Sequence, residues 1–193
     1  MKKEVTTLAM VVGRHASGEG SSRVVLYTEE LGRITAFARS GREERSKLRP
    51  HLVVGARGSY DLVKGKSEWR VTGAVHTENI FYSCQEDDAR TSAARTFTLL
   101  RSLVHGEGKD ERLFTALHEY CVALPTLTGD SVRIAEYVVA LNILAALGYV
   151  EEEPVTDLID ARYTAALLKN AADKRRALIR AINEGIAASQ LVS

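Results

Sequence analysis

Arg23-Val-Val-Leu-Tyr27-Thr28-Glu29-Glu30-Leu31-Gly32-Arg33-Ile-Thr-Ala-Phe37-Ala-Arg39 is the stretch that decides the fold. Apolar and polar side chains alternate on either side of Glu30-Leu31-Gly32, the pattern of two half-buried strands. A three-residue loop ending in glycine fits a type I turn whose last residue is left-handed. This loop is expected to pair Tyr27 with Thr35, Val25 with Phe37 and Arg23 with Arg39. Val24, Leu26, Ile34, Ala36 and Ala38 then share one face, the core. The opposite face carries Arg23, Tyr27, Arg33, Phe37 and Arg39. Rings interleaved with arginines suit single-stranded nucleic acid, because bases stack on Tyr27 and Phe37 while guanidinium groups neutralise phosphates. Arg23 facing Arg39 sets like charges side by side, unfavourable by roughly 0.2–1 kcal/mol unless a polyanion relieves it. The competing expectation is that Tyr27 and Phe37 pack beneath the carboxy-terminal half.

Outward from this hairpin, the amino-terminal part reads as further short strands at Val5–Val12, Leu52–Leu62 and Trp69–His76. Gly13 and Ser17-Gly-Glu-Gly-Ser-Ser22 are expected to end the first strand, and Lys64-Gly65-Lys66 separates the last two. Five strands joined by glycine-bearing turns predict an OB-like β-barrel over residues 1–80. After the third strand runs Arg39-Ser-Gly-Arg42-Glu-Glu-Arg45-Ser-Lys47-Leu-Arg49, five cations against two carboxylates. Arg39, Arg42, Arg45, Lys47 and Arg49 are the candidates for phosphate contact, with Arg23 and Arg33 beside them. A patch of about 4–6 cations gives salt-sensitive affinity with little sequence preference.

Beyond Glu86 the period becomes helical. Ala89, Ala93, Phe97, Leu100 and Val104 recur at three- and four-residue steps, as do Leu113, Leu117, Cys121 and Leu124. Asp110 and Asp130 fit N-caps, and Gly106 and Gly148 fit helix stops. Ile134–Leu147 is apolar nearly all round, so it is expected at the centre of a small bundle. Two more helices are expected at about Asp157–Asn170 and Asp173–Leu191. The fold class is therefore α+β, with an OB-like DNA-binding domain over 1–80 and an α-helical domain over 81–193.

Charge follows the same division. The chain of 193 residues is nearly neutral at +1, yet residues 1–78 carry 14 Lys+Arg against 9 Asp+Glu while the remainder is net acidic. Such asymmetry points to a nucleic-acid-facing module. Cys84 and Cys121 are the only cysteines, too few for a disulfide framework or a four-cysteine zinc site. The longest apolar stretch is too short to span a bilayer, and the start lacks the pattern of a signal peptide, so a cytosolic protein is expected. The five histidines are scattered, and Gly18-Glu-Gly20 lacks a phosphate-cradle continuation. The acidic runs Glu86-Asp87-Asp88 and Glu151-Glu-Glu153 read as linker or helix-start acids. With no nucleophile–base–orienter set and no metal set, neither a catalytic residue, a metal nor a cofactor is expected. Lys174-Arg175-Arg176 with Arg180 forms a second basic cluster, read as a solvated helix face or a further contact for DNA or protein.

The order of residues from Gly18 to Gly41 resembles the opening of the RecO family of bacterial DNA repair and recombination mediators. A Gly-Glu segment leads into a strand ending at Thr28, then Leu31-Gly32-Arg33, a strand, and the basic loop from Arg39. Weaker similarity continues through Leu99-Leu-Arg-Ser-Leu-Val-His-Gly-Glu107, Arg112-Leu-Phe114 and Asn142-Ile-Leu-Ala-Ala-Leu-Gly148-Tyr149. The resemblance implies an amino-terminal OB fold and a helical carboxy-terminal domain. It also implies binding of single- and double-stranded DNA, strand annealing and, with a RecR-like protein, recombinase loading onto coated single strands. A cytoplasmic, nucleoid-associated location goes with those activities. The basic cluster Lys174-Arg175-Arg176 with Arg180 is then a candidate dock for the acidic tail of single-stranded-DNA-binding protein, whose apolar end needs a groove rimmed by lysine or arginine. Many members carry a four-cysteine zinc module after the position of Tyr149, where this chain runs Glu151-Glu-Glu-Pro154, so a short form without zinc is expected. The alternative function is a non-catalytic adaptor whose barrel docks a protein partner.

Overall fold

The structure is a computed structural model that describes residues 3–39, 41–150, 155–159 and 162–190. Five strands, β1 (Glu4–Ala16), β2 (Ser22–Thr28), β3 (Gly32–Ala38), β4 (Ala56–Lys64) and β5 (Trp69–Asn79), close into a barrel in the order β1-β2-β3-β5-β4. All pairings are antiparallel except β3 with β5, which is parallel at Ala36–Trp69 and Phe37–Arg70. Closure through β3 and β5 leaves no edge strand to aggregate. Val11, Val24, Leu26, Ile34, Ala36, Ala38, Leu62, Trp69 and Val71 fill the interior. This is the five-stranded barrel expected of an OB-like domain.

Along the first three strands two details differ from the sequence reading, each for a local reason. β1 does not stop at Gly13 but runs to Ala16, because the register slips between Val11 and Gly13 and the glycine is absorbed as a bulge. The last strand pair before the basic loop closes on Thr28 and Gly32. Thr28 Oγ1 accepts the Leu31 N–H at 2.9 Å and donates to the Gly32 carbonyl at 3.0 Å, which sets the three-residue loop one residue earlier than expected, at Glu29-Glu30-Leu31, and moves each cross-strand partner by two. A two-residue shift keeps every side chain on its face but changes its neighbour. Arg23 therefore faces Phe37 rather than Arg39, and the like-charge pair does not form.

The expected strand over Leu52–Leu62 starts only at Ala56. Arg49–Leu52 forms a 3-10 turn instead, with Pro50 in its first turn, and fully buried Leu52 enters the barrel core. A second close approach shapes the hairpin from outside. The segment 105–110 returns to the barrel, where Gly108 N–H donates to the Leu31 carbonyl at 2.9 Å. The Glu107 carboxylate accepts from Trp69 Nε1 at 2.9 Å and from Lys64. Hydrogen bonding from Lys64 holds this carboxyl below its ordinary pKa.

The chain divides into two compact units, Met1–Ser83 with His105–Asp110, and Cys84–Val104 with Glu111–Ser193. The first unit also holds a single turn, α1 (Ile80–Ser83). The second holds α2 (Asp87–Leu103), α3 (Glu111–Ala123), α4 (Asp130–Ala146), α5 (Ala165–Asp173) and α6 (Arg175–Gln190). α4 is buried along most of its length and packs against α2, α3, α5 and α6. Its one strongly polar buried side chain, Asn142, donates to the carbonyls of Val138 and Leu158 at 2.8 and 3.2 Å. Gly148 at φ 77° ends the helix, with its N–H to the Ala145 carbonyl and the Tyr149 N–H to that of Leu144.

Asp130 is the first residue of α4 rather than its cap, a position held by Gly129. Glu86 caps α2 and Asp87 and Asp88 open it, where the macrodipole favours acids. The helix expected at 157–170 is a short 3-10 turn at Thr156–Leu158 followed by α5. Glu151–Glu153 and Leu191 lie outside the described residues.

Candidate nucleic-acid interface

Two loops meet at one end of the barrel: β1–β2 (residues 17–21) and the basic loop between β3 and β4 (39–55). Arg42 N–H donates to the Gly20 carbonyl at 2.8 Å, and its guanidinium donates to that of Gly18. Arg14, on β1, donates Nη2 to the Gly41 carbonyl at 2.8 Å and Nε to Ser22 Oγ at 3.2 Å. These bonds seat the basic loop on the barrel rim.

Arg39, Arg42, Arg45, Lys47 and Arg49 are all exposed. Among the described residues, Arg39, Arg45 and Lys47 make no side-chain hydrogen bond or ion pair. Arg14 senses the charge that results. Burial pulls its pKa down first, and the positive charges of Arg42 and Arg49 pull it further. The loop thus carries positive potential that its own Glu43 and Glu44 do not cancel. Arg14 is a cation of this group that the sequence reading missed, because nothing near it in the chain marks it.

The outer face next to this rim differs from expectation. A row of side chains crosses four strands, with His15, Arg23, Phe37 and Arg70 in successive register. Phe37 is half-buried and is flanked by exposed Arg23 and Arg70. Tyr27 does not join it. It pairs with Met10 and Arg33, and like Met10 and Val25 it is buried although it points away from the barrel interior. Burial, with Asp110 nearby, pushes the Tyr27 hydroxyl pKa well up. Tyr27 is therefore a packing residue and not a stacking platform. Arg33 sits on the same row as Tyr27, with Nη1 3.1 Å from His105 Nδ1. Arg23 is already engaged, its Nη2 3.2 Å from Glu68 Oε2 and its Nη1 donating to Ser17 Oγ at 2.9 Å.

In the helical unit, a largely apolar groove of about 640 Å³ runs between α2, α4 and α6. Leu99, Tyr137, Ile182 and Ile186 line it, and Arg95 stands at its rim, 3.8 Å from Glu136. The basic cluster on the last helix is mostly neutralised by comparison. Lys174 pairs with Asp157 at 2.7 Å, Arg175 with Asp130 at 3.2 Å, and Arg180 approaches Glu184 at 4.0 Å. Among the described residues no group of three or more His, Cys, Asp and Glu could hold a metal, and no helix is long and apolar enough to cross a membrane.

A closed five-stranded barrel in this strand order, with a cationic loop at the rim, defines an OB-type module followed by a helical domain. Residues 1–77 match the family model described as recombination protein O N terminal. The chain is 30% identical over 114 residues to the DNA repair protein RecO of Alkaliphilus metalliredigens, covering 58% of this chain and 46% of that protein. It is 37% identical over 68 residues to the DNA repair protein RecO of Dehalococcoides mccartyi, covering 35% of this chain and 27% of that protein. The similarity of the amino-terminal module is thus to the amino-terminal part of RecO proteins. The matched segments span less than half the length of either relative.

Proposed function

We propose that this chain is a DNA repair and recombination mediator that holds nucleic acid at the rim of its barrel. The observation that carries the reading is the exposed cationic loop, Arg39, Arg42, Arg45, Lys47 and Arg49, backed by Arg14 and standing beside Phe37. Guanidinium and ammonium groups neutralise phosphates, so single- and double-stranded DNA both bind, with affinity that falls steeply with salt. Nothing in this set reads base edges, which makes the binding indifferent to sequence. Holding two strands side by side against reduced repulsion raises their local concentration and speeds annealing. No covalent bond is made or broken, so the protein acts as a mediator and not as an enzyme.

With a RecR-like protein, the same grip serves recombinase loading onto coated single strands in the cytoplasm, at the nucleoid. The α2–α4–α6 groove suits the acidic, apolar-ended tail of single-stranded-DNA-binding protein: Leu99, Ile182 and Ile186 receive the apolar end and Arg95 the carboxylate. The test is strand annealing of complementary oligonucleotides, with and without single-stranded-DNA-binding protein, across a salt series. Acceleration that fades with salt supports the mediator. Capture of a RecR-like protein without any oligonucleotide binding supports the adaptor alternative instead.

A further inference from the structure

We propose that Glu68 is a built-in stand-in for a nucleic-acid phosphate, and that Arg70 is a phosphate-contacting residue on the other flank of Phe37. The proposal rests on the oligonucleotide-binding reading and deepens it. Arg23 Nε and Nη2 both point to Glu68 Oε2, at 3.3 and 3.2 Å, while Nη1 donates to Ser17 Oγ at 2.9 Å. One guanidinium therefore ties the β1–β2 loop to the β4–β5 loop. In OB folds these two loops frame the bound oligonucleotide. The tie lies across the place where a strand would enter.

Its strength is low. The Arg23 and Glu68 side chains are 48% and 32% exposed, so water and salt screen the pair. A guanidinium fork presents the same geometry to a carboxylate and to a phosphodiester. A phosphate arriving beside Phe37 can take that fork from Glu68. Arg70 needs no such exchange. It is exposed next to Phe37 in the β3–β5 register and makes no side-chain hydrogen bond or ion pair among the described residues. Glu68, the last residue of the β4–β5 loop, reaches the outward face through its contact with Arg23, two residues before Arg70 on β5. The ring thus stands between one cation that is free and one that is held.

The ligand class is a single-stranded oligonucleotide, one base stacked on Phe37 and its flanking phosphates on Arg23 and Arg70. Each binding event exchanges a carboxylate for a phosphate at Arg23. The released Glu68 gathers a cation as the phosphate gives one up, so Glu68 weakens both the affinity and its salt dependence.

The test is fluorescence anisotropy of labelled oligo(dT) with the full chain over a salt series. It compares wild type, Glu68→Gln, Arg70→Glu and the loop triple Arg42→Glu/Arg45→Glu/Lys47→Glu, with circular dichroism melts confirming that each folds. Glu68→Gln is expected to bind about three- to tenfold more tightly and to steepen the salt slope by roughly 0.7. Arg70→Glu is expected to bind about tenfold more weakly, with a flatter slope. Glu68→Gln binding no tighter than wild type, while the loop triple loses affinity, overturns the exchange and leaves the DNA reading standing. Wild-type affinity and slope in Arg70→Glu overturn the assignment of that residue. No oligo(dT) binding by the wild type overturns both this proposal and the reading beneath it.

Discussion

His51 Nδ1 lies 2.7 Å from His76 Nδ1 and also accepts the His76 backbone N–H at 3.1 Å. With His51 Nδ1 accepting, the proton between the rings belongs to His76, and His51 is neutral on that nitrogen. This contact, with Tyr60 Oη donating to the His51 carbonyl at 2.7 Å, fastens the 3-10 turn of the basic loop to β4 and β5.

Acid should loosen this fastening. Burial, then the neighbouring His76, lowers the pKa of His51 below the ordinary histidine value of 6.5. Below that value the unfolded chain takes a proton that the folded chain refuses, so stability falls as pH falls. It is complete above about pH 6.5, the unfolded value. Thermal melts between pH 8 and pH 5 should show the midpoint dropping through this window. His51→Gln should flatten that part of the profile, and an unchanged profile would remove His51 as its source.

Gly32 is under two constraints. Its φ is 64°, and a Cβ there would lie 2.0 Å from the Gly108 carbonyl oxygen. Gly32→Ala should therefore destabilise the barrel by at least about 2 kcal/mol, the sum of left-handed strain and a backbone clash. Urea unfolding measures the loss directly.

Phe37 and Tyr27 should separate cleanly on mutation. Tyr27→Ala removes a buried ring and should cost about 3–5 kcal/mol of stability. Phe37→Ala should instead weaken oligo(dT) binding by about 1–3 kcal/mol, the range for one stacked base. Paired melts and anisotropy titrations decide this. Equal stability losses from both variants would make Phe37 a packing residue as well.

Leu52 closes the barrel interior at 0% exposure, on a turn that the sequence reads as a strand. Leu52→Ala should cost about 2–5 kcal/mol and leave a cavity under the basic loop. Oligonucleotide affinity should fall with it, because the loop loses its anchor.

What the sequence discloses is mostly local. The Val24–Leu26 and Ile34–Ala38 alternation fixes which side chains face the barrel interior, and the apolar run of α4 fixes the bundle centre. The exact pairing across the hairpin depends on the Thr28 hydroxyl, which two-residue periodicity does not register. Alternation also says which way Tyr27 points, but not that its outward face is covered. Arg14 and Arg70 reach the site through pairings distant in the chain, β1 against the basic loop and β3 parallel to β5. Neither position carries a motif of its own. Glu68 neutralises Arg23 across 45 residues, a contact that only the closed barrel creates.

The central claim is that the cationic rim loop grips phosphates. Charge reversal at Arg42, Arg45 and Lys47 tests it most directly, read as oligonucleotide affinity over a salt series. The account predicts a comparable loss for unrelated sequences and a salt slope flattened by about 2 for single strands, at roughly 0.7 per phosphate. Affinity and slope equal to wild type, in a variant that melts normally, would place the binding surface elsewhere and contradict the account.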